Sequence, residues 1–560
     1  MKLHLRWQLL LALVGFGLIL AILSFQVQSA GLCTERVPSS GGVFLEGMVG
    51  APQRLNPLLS DGFPVDQELV NLLFDGLVQY DHAGRFIPAL AESWTVSDDG
   101  RSLQFTLRNG LFWHDGQPIT TADVAFSYGL LQNDAFPAAA AVKTLWQTVT
   151  INVLDERTIE FVLAEPYAPF LEATLRGIVP AHLLQNVPPA EIANHRFNQQ
   201  PVGSGPWQVL PDQDWTTTRS LRLTPNPLDW REGTQIPVLE FRFYPDEASL
   251  LTAFANGDIM AINSVSDGLL PEVTAVPQAR LFTTVAPHYT QLIFNQSDTG
   301  FAPLKLAEVR QGLAAGLNRD RLIDRALNGQ GVPLTGPYLP DSWANNQAIF
   351  AGAQASWGGG NELLNSAGWT LPEGATVRQA DGEMFTLRLL ALDTAVQQRV
   401  AQEVANQWSE LGVAVVIETA VSITEMREKL AARDFDVALV DITPSIDPDL
   451  YDFWSQEAII RGQNYGGWNN RRASEALEAA RQVWGIGERR PSYDTFLSIY
   501  ADQVPAVTLY QHVYTYALSS EVNQAEVGPI YEPRDRYQTF ANWFLLYRDV
   551  TISCPAEETS

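Results

Sequence analysis

The residues of this chain that could do chemistry do not assemble into a catalytic or metal-binding pattern. Ser204 lies in the segment P-V-G-S-G-P-W, but it lacks the strand-to-helix turn and the placed histidine of a serine nucleophile. His114 and His182 each stand apart from any partner at metal-ligand spacing. We found no nucleophile–base pair and no phosphate-binding loop. We therefore expect no catalytic residue, no metal and no cofactor, and a secreted hydrolase is disfavoured.

The beginning of the chain has the pattern of an export signal. Lys2 and Arg6 precede an uncharged apolar run over residues 9–25. This run is long for a signal core and close to the lower limit for a membrane span. We favour cleavage near Ser29 over an uncleaved anchor.

The two cysteines of the chain, Cys33 and Cys554, lie near opposite ends. In an exported protein this arrangement favours a disulfide between them, since the termini of a domain are often close in space. Lipidation of Cys33, for which Leu32 is a poor preceding residue, and two free thiols remain open alternatives.

The charge of the chain excludes some classes of partner. The formal net charge is −27, and residues 1–29 hold two basic and no acidic residues, so the chain without them carries −29. Such a surface disfavours nucleic acid and anionic lipid. At 560 residues the chain is too long for one core, and two or more lobes are expected.

The pattern of the second half predicts an α/β lobe. Residues 397–411 carry apolar side chains at helical spacing, and Gly412 fits the end of that helix. A strand over 413–418, a helix over 423–432 and a buried strand over 435–442 follow. This alternation favours a mainly parallel sheet, whose ligands bind beyond the strand ends. It places residues 443–449 at a cleft.

Several motifs resemble the family 5 extracellular solute-binding proteins, the peptide- and nickel-binding type that feeds ABC importers. The matching segments are P-A-L-A-E-S-W at 88–94, W-H-D-G-Q-P at 113–118, P-V-G-S-G-P-W at 201–207, V-R-Q-G-L at 309–313 and the G-x-x-x-P-x-x-G-P loop at 329–337. The resemblance covers about 43–548. It implies an α/β, periplasmic-binding-protein-like fold (type II, or Venus flytrap) of two lobes, with an extra subdomain inserted in lobe I.

The resemblance also implies a division of the chain. Two crossings between the lobes would form a hinge that allows closure on a ligand. The predicted parts are 1–29 as signal peptide or N-terminal anchor, 30–83 as the first segment of lobe I, 84–199 as the inserted subdomain, 200–285 as the second segment of lobe I, 286–504 as lobe II and 505–560 as the C-terminal segment of lobe I.

The resemblance assigns the ligand site to two loops. Asp61 belongs to a lobe I loop that borders the cleft in the family, and Asp447-Pro448 matches a D-P pair of lobe II. Where peptide-binding members have an aspartate for the ligand's ammonium, this chain has Pro444 or Ser445. A ligand without a free amine, or an amine held by Asp61 or Asp441, is therefore open. The predicted ligand-binding residues are Asp61, Gly62, Phe63, Phe136, Trp207, Tyr289, Asn295, Ile442, Thr443, Ser445, Asp447 and Trp468.

The function implied is an extracytoplasmic protein that captures a small solute between its lobes and delivers it to an ABC importer. An oligopeptide is the first candidate for the solute. The alternatives are a ligand-sensing receptor component and a protein for a non-peptide solute such as an oligosaccharide. The expected partners are the ligand and the permease and ATPase subunits, with no nucleic acid. We expect a monomer in the periplasm or on the outer face of the cytoplasmic membrane, held there by the permease or by an N-terminal anchor.

Overall fold

The computed structural model describes residue 7, residues 13–22 and residues 32–553 apart from 82–83, 212, 232, 358, 529 and 531. Residues 13–22 are helical. Among the described residues, no helix has the length and apolar character needed to cross a membrane. The predicted cleavage position near Ser29 lies outside the described residues.

The strands, in chain order, are β1 (Leu32–Ser39), β2 (Val43–Val49), β3 (Val78–Tyr80), β4 (Phe86–Pro88), β5 (Ala91–Val96), β6 (Ser102–Leu107), β7 (Thr150–Val153), β8 (Thr158–Val162), β9 (Trp207–Val209), β10 (Ser220–Pro225), β11 (Val238–Tyr244), β12 (Ala261–Ile262), β13 (Ala279–Phe294), β14 (Val332–Pro333), β15 (Gln379–Ala380), β16 (Glu383–Met384), β17 (Thr386–Leu392), β18 (Ala414–Ala420), β19 (Val437–Ile442), β20 (Ala506–Ser519) and β21 (Leu546–Ser553).

The α-helices are α1 (Pro64–Leu73), α2 (Thr121–Gln132), α3 (Ala140–Trp146), α4 (Phe170–Ala173), α5 (Ala181–Leu184), α6 (Trp215–Thr218), α7 (Glu247–Ala255), α8 (Leu270–Thr274), α9 (Ala307–Ala315), α10 (Arg319–Leu327), α11 (Gln347–Trp357), α12 (Gly360–Ser366), α13 (Ala395–Glu410), α14 (Ile423–Ala432), α15 (Tyr451–Trp454), α16 (Ala458–Arg461), α17 (Arg471–Gln482) and α18 (Ile486–Gln503). Short 3₁₀ helices cover Pro189–Asn194, Arg196–Asn198, Ala302–Lys305, Pro533–Tyr537 and Phe540–Asn542.

One long sheet runs through both halves of the described molecule. Its order is β18-β17-β19-β13-β20-β12-β2-β11-β10-β9, with β14 added to β20. The β17–β18 and β17–β19 pairs are parallel, whereas β13 pairs antiparallel with both β19 and β20. The part of the sheet from β18 to β20 is therefore mixed, because β13 runs against β17, β18 and β19, whereas β20 runs in the same direction as they do.

The strands β13 and β20 cross between the two halves of the sheet. They pair antiparallel from Ala279 opposite Ser519 to Ile293 opposite Ala506. The pairing shifts register between Val285 and Tyr289. A bulge loosens the hydrogen-bond ladder and bends a strand locally, so this position is suited to a hinge.

Four apolar cores lie on the two sides of this crossing, the smallest of them beside α7 and β12. The largest includes Phe44, Phe241 and Tyr516 and continues into the region of β5–β8. On the far side, one core around Trp408 packs under one face of the sheet and another around Trp454 packs on the opposite face. Separate cores are what two lobes joined by a bent pair of strands require.

The region between β4 and β9 forms its own small sheet, in the order β5-β6-β8-β7. Thr120, with Asp123 three residues on, has the sequence pattern of a capping box and predicts a helix start. The structure confirms it, because the two residues form the reciprocal capping box at the start of α2. The segment P-V-G-S-G-P-W at 201–207 packs tightly against the end of α1. A Cβ at Gly203 would lie 1.8 Å from the Leu73 carbonyl oxygen, so only glycine fits there. His114 clamps this segment, accepting from the Gly203 N–H at 3.0 Å.

Two elements differ from what their sequence patterns predict. The pattern of residues 306–326 predicts one helical run, but the structure has two helices, α9 and α10, separated at Gly316–Asn318, where Asn318 caps α10 by accepting from the Arg321 N–H. The apolar residues 292–295 predict a short crossing strand, but they belong to the end of the much longer β13. Its first half shows little apolar alternation, and its long pairing with β20 sets its extent.

The strands β1 and β21 pair antiparallel and bring the two ends of the described body together. Leu32 stands opposite Ser553, and Cys33 stands opposite Ile552. Cys554 lies outside the described residues, so its predicted disulfide with Cys33 stays a prediction.

Candidate ligand cleft

The loop 443–449 follows β19 at the crossing strands, as the alternation of strands and helices predicts. Residues of β19 face alternate sides of the sheet. Ile442 is buried in the core around Trp454. Asp441 points to the other face, where its carboxylate accepts from Thr290 Oγ1 at 2.5 Å and from Gln397 Nε2 at 2.9 Å. The Asp441 carboxylate therefore lies on the opposite face of the sheet from Ile442. Both of its oxygens already accept hydrogen bonds from side chains of the protein.

Asp447 holds the loop in place rather than reaching into open space. Both of its carboxylate oxygens accept from the guanidinium of Arg489, each at 2.6 Å. The two side chains are 2% and 5% exposed. The same guanidinium donates to Tyr493 Oη and lies 5.0 Å from the centre of the Trp343 ring. A bidentate pair at this depth fixes the position of the loop backbone.

Glu172 of α4 bridges the cleft. Its two carboxylate oxygens accept from the backbone N–H groups of Ile446 and Asp447, each at 3.3 Å. Burial, with the nearby Asp447 carboxylate, raises the pKa of the Glu172 carboxyl to about 8. The inserted region thus contacts the loop at the end of β19.

Further contacts join the inserted region to residues 481–484 on the other side of the cleft. Trp484 Nε1 donates to the Gly100 carbonyl at 2.9 Å, and the Ala168 N–H donates to the Arg481 carbonyl at 2.7 Å. The Arg481 guanidinium lies 5.1 Å from the centre of the Tyr167 ring. Together with Glu172, these contacts hold the two sides of the cleft against each other.

A pocket remains between the two sides of the cleft, and we call it the cleft pocket. It encloses about 510 Å³, counting the part open to solvent. The hydroxyl of Tyr338 is buried and has no hydrogen-bond partner among the described residues. The described residues that line the pocket are Gly84, Pro287, Tyr338, Leu339, Ser342, Trp343, Pro444, Ser445, Ile446 and Pro448.

The predicted lobe I loop around Asp61 lies close to residues 172–176, the segment that begins with Glu172. Asp61 Oδ1 accepts from Arg176 Nη2 at 2.9 Å, while Asp61 Oδ2 is buried without a partner in the described part of the chain. Gly62 has a φ of 82° and Phe63 directly precedes α1. The segment from Glu172 to Arg176 therefore touches both loops that the sequence assigns to the ligand.

The structure brings together some predicted residues and separates others. Tyr289 is opposite Ile442 in the sheet register, and Thr443 and Ser445 follow in the loop. Ser445 is the predicted residue that lines the cleft pocket in the described part of the chain. Others are core or bracing residues: Phe136 and Trp207 in the first core, Tyr289, Ile442 and Trp468 in the core around Trp454, Asp447 in its pair with Arg489, and Asn295, whose amide donates to the Phe435 carbonyl at 2.8 Å. Aromatic residue type alone does not separate a core residue from a ligand contact.

Other cleft residues were missed from the sequence. Tyr338 directly follows the G-x-x-x-P-x-x-G-P motif, so this motif could have indicated it. Trp343 follows shortly after. Glu172 and Arg489 carry no local signal, because each contacts residues far away in the sequence. His182 pairs with Asp115 at 2.8 Å, and no group of three metal-binding side chains occurs in the described part of the chain.

The raised pKa of Glu172 predicts that closure of the cleft depends on pH. In an open cleft its pKa should lie near the ordinary 4.5, whereas in the closed structure it is about 8. The closed form therefore binds the proton more tightly, so closure is favoured fully below about pH 4.5 and the advantage is lost as pH rises through 8. We expect the radius of gyration of the ligand-free protein to increase between pH 5 and 8 in X-ray scattering. Glu172→Gln should remove this dependence, and an unchanged profile in that variant would contradict the assignment.

Comparison with known proteins defines the class. The model of the bacterial extracellular solute-binding proteins, family 5, matches residues 85–458. The chain belongs to this family, as its motifs predict.

Relatives and solved structures agree on the fold. The oligopeptide-binding protein AppA of Bacillus subtilis is 24% identical over 518 residues, which is 91% of this chain and 92% of that protein. The nickel-binding periplasmic protein of Escherichia coli is 27% identical over 376 residues, 65% of this chain and 68% of that protein. The structure of B. subtilis AppA with a nonapeptide gives a TM-score of 0.66 at 22% identity, covering 91% and 100% of the chains. The substrate-binding protein CtaP of Listeria monocytogenes gives 0.75 at 20% identity, covering 90% and 100%. The periplasmic-binding-protein-like fold is thus confirmed.

Proposed function

We propose that this protein is exported, captures a peptide between its two lobes and delivers it unchanged to an ABC importer. The observation that carries the proposal is the cleft at the end of β19, bridged by Glu172 and flanked by the bent crossing strands β13 and β20. Relatives named for oligopeptides and dipeptides favour a peptide. Permease and ATPase subunits are the proposed receivers, and the protein acts as a monomer without enzymatic activity.

The predicted division of the chain is part of this proposal. The register shift between Val285 and Tyr289 supports a lobe boundary near 285, and the start of β20 at Ala506 supports a return near 505. The pairing of β1 with β21 supports a disulfide between Cys33 and Cys554, which an exported protein can keep oxidised.

Peptide-induced closure without turnover tests the function. A mixed peptide library should lower the radius of gyration in X-ray scattering. At about 100 times the Kd, the peptide should stabilise the protein by about 2.7 kcal/mol. Mass spectrometry should recover the peptides uncleaved. Cleaved peptides would indicate a hydrolase, and neither compaction nor stabilisation would contradict peptide capture.

A further inference from the structure

We infer that the ligand group held in the cleft pocket is uncharged and carries a hydrogen-bond acceptor. For a peptide, this means a blocked amino end or an internal residue rather than a free α-ammonium. The inference rests on the proposed function, because it names the chemical class of ligand for the same cleft.

The acidic side chains around the cleft are already neutralised by the chain itself. Three aspartates are each paired with an arginine: Asp61 with Arg176 at 2.9 Å, Asp447 with Arg489 at 2.6 Å and Asp449 with Arg481 at 2.7 Å. A buried ammonium needs an opposite charge that is free to pair with it. At Asp447 and Asp449 a ligand ammonium would have to compete with a fixed guanidinium. Asp61 keeps one carboxylate oxygen without a partner in the described part of the chain, but Asp61 does not line the cleft pocket.

Glu172 has no arginine partner among the described residues. Its two oxygens are occupied by the N–H groups of Ile446 and Asp447. Because burial and the Asp447 carboxylate raise the pKa of its carboxyl to about 8, it is mostly protonated at neutral pH. Glu172 therefore offers little negative charge to a ligand.

The walls of the cleft pocket favour an uncharged group. None of its described lining residues is charged, and apolar contact is offered by Leu339, Trp343 and Ile446. The hydroxyl of Tyr338 is a buried donor without an acceptor in the described part of the chain. Burial raises the pKa of Tyr338 well above its ordinary value, so the hydroxyl keeps its proton. Its side chain needs a small shift to reach a ligand, because the oxygen is sealed in the closed structure.

Competition between two matched libraries tests the inference. The mature protein is mixed with a randomised hexapeptide library and with an N-acetylated copy of the same library. The masses of the retained peptides are then measured by native mass spectrometry. We expect acetylated members to be retained with a preference of about tenfold. Equal retention, or a preference for free amines, would overturn the inference and leave peptide capture standing. Retention of neither library would overturn peptide capture itself.

The Tyr338 hydroxyl has its own test. Tyr338→Phe should weaken binding of acetylated peptides by about fivefold, yet leave the melting temperature of the empty protein unchanged or higher, since an unpaired buried hydroxyl is removed. Tyr500→Phe is the matched control: its hydroxyl is equally buried but Tyr500 lines a different cavity, and its peptide affinity should be unchanged. Unchanged affinity in Tyr338→Phe would overturn the role of this hydroxyl.

A new charge in the pocket should reverse the preference. Ser445 is exposed and lines the pocket, so Ser445→Asp adds a carboxylate without burying it in the core. We expect this variant to retain free-amine peptides in preference to acetylated ones. If it keeps the wild-type preference, charge in this pocket does not select the ligand and the inference fails.

Discussion

Replacing Arg536 by methionine is expected to destabilise the protein by about 3–5 kcal/mol. Arg536 is fully buried, its Nε donates to Glu46 Oε1 at 3.1 Å, and its guanidinium also contacts Glu68. Methionine would leave two buried carboxylates without a cation. The effect is large because Glu46 lies on β2 and Arg536 near the C-terminus, so the contact joins the first and last predicted segments of lobe I.

Urea unfolding of the variant at two pH values provides the measurement. Without the guanidinium, protonation relieves the buried charges, so the loss of stability should be smaller at pH 5 than at pH 8. Arg471→Met is the control, because Arg471 forms a similar ion pair with Glu475 at 2.7 Å but is 81% exposed. Its unfolding free energy should change by less than about 0.5 kcal/mol. A change in Arg536→Met as small as in this control would contradict the structural account.

Replacing Arg489 by methionine should reduce both stability and ligand binding. Asp447, 2% exposed, would lose its bidentate partner, at a cost of about 3–5 kcal/mol. Since Asp447 fixes the loop that meets Glu172, the backbone donors of that loop would move. Peptide affinity should fall by about tenfold or more, measured by titration calorimetry at a temperature where the variant is folded.

Two variants show whether the effect of Arg489→Met comes from the loss of the partner of Asp447 or from replacing an arginine by methionine in general. Arg461→Met removes an arginine that is 80% exposed and lies in the predicted lobe II. It should change neither the unfolding free energy nor the peptide affinity. Asp447→Asn combined with Arg489→Met removes the uncompensated charge and should regain part of the stability, but not the affinity. Full affinity in Arg489→Met would show that the loop is positioned without this pair.

The sequence predicted local elements well wherever the signal was local. The capping box of Thr120 and Asp123 depends only on residues that are close in sequence. The helix α13, which ends shortly before Gly412, shows its apolar period directly in the sequence. The loop after β19 followed from strand order, since ligands of such sheets bind beyond strand ends. The motifs then gave the family.

The partners of the site residues could not be predicted in this way. Arg489 lies 42 positions from Asp447, and Arg536 lies 490 positions from Glu46, and no periodicity links such pairs. Glu172 sits in a four-residue helix of ordinary composition. Tryptophan and phenylalanine residues were the least reliable basis for predicting ligand contacts, because their size suits a core as well as a pocket. Trp468, which is buried in a core, is an example.

The most direct test of the central claim, capture of peptides between the lobes, is native mass spectrometry of the mature protein purified without denaturant. The account predicts that part of the protein carries a distribution of small masses, which denaturation releases as intact peptides. The same protein, once emptied, should take up peptides from a mixture. A single non-peptide mass, or an empty protein that takes up none, would contradict the account.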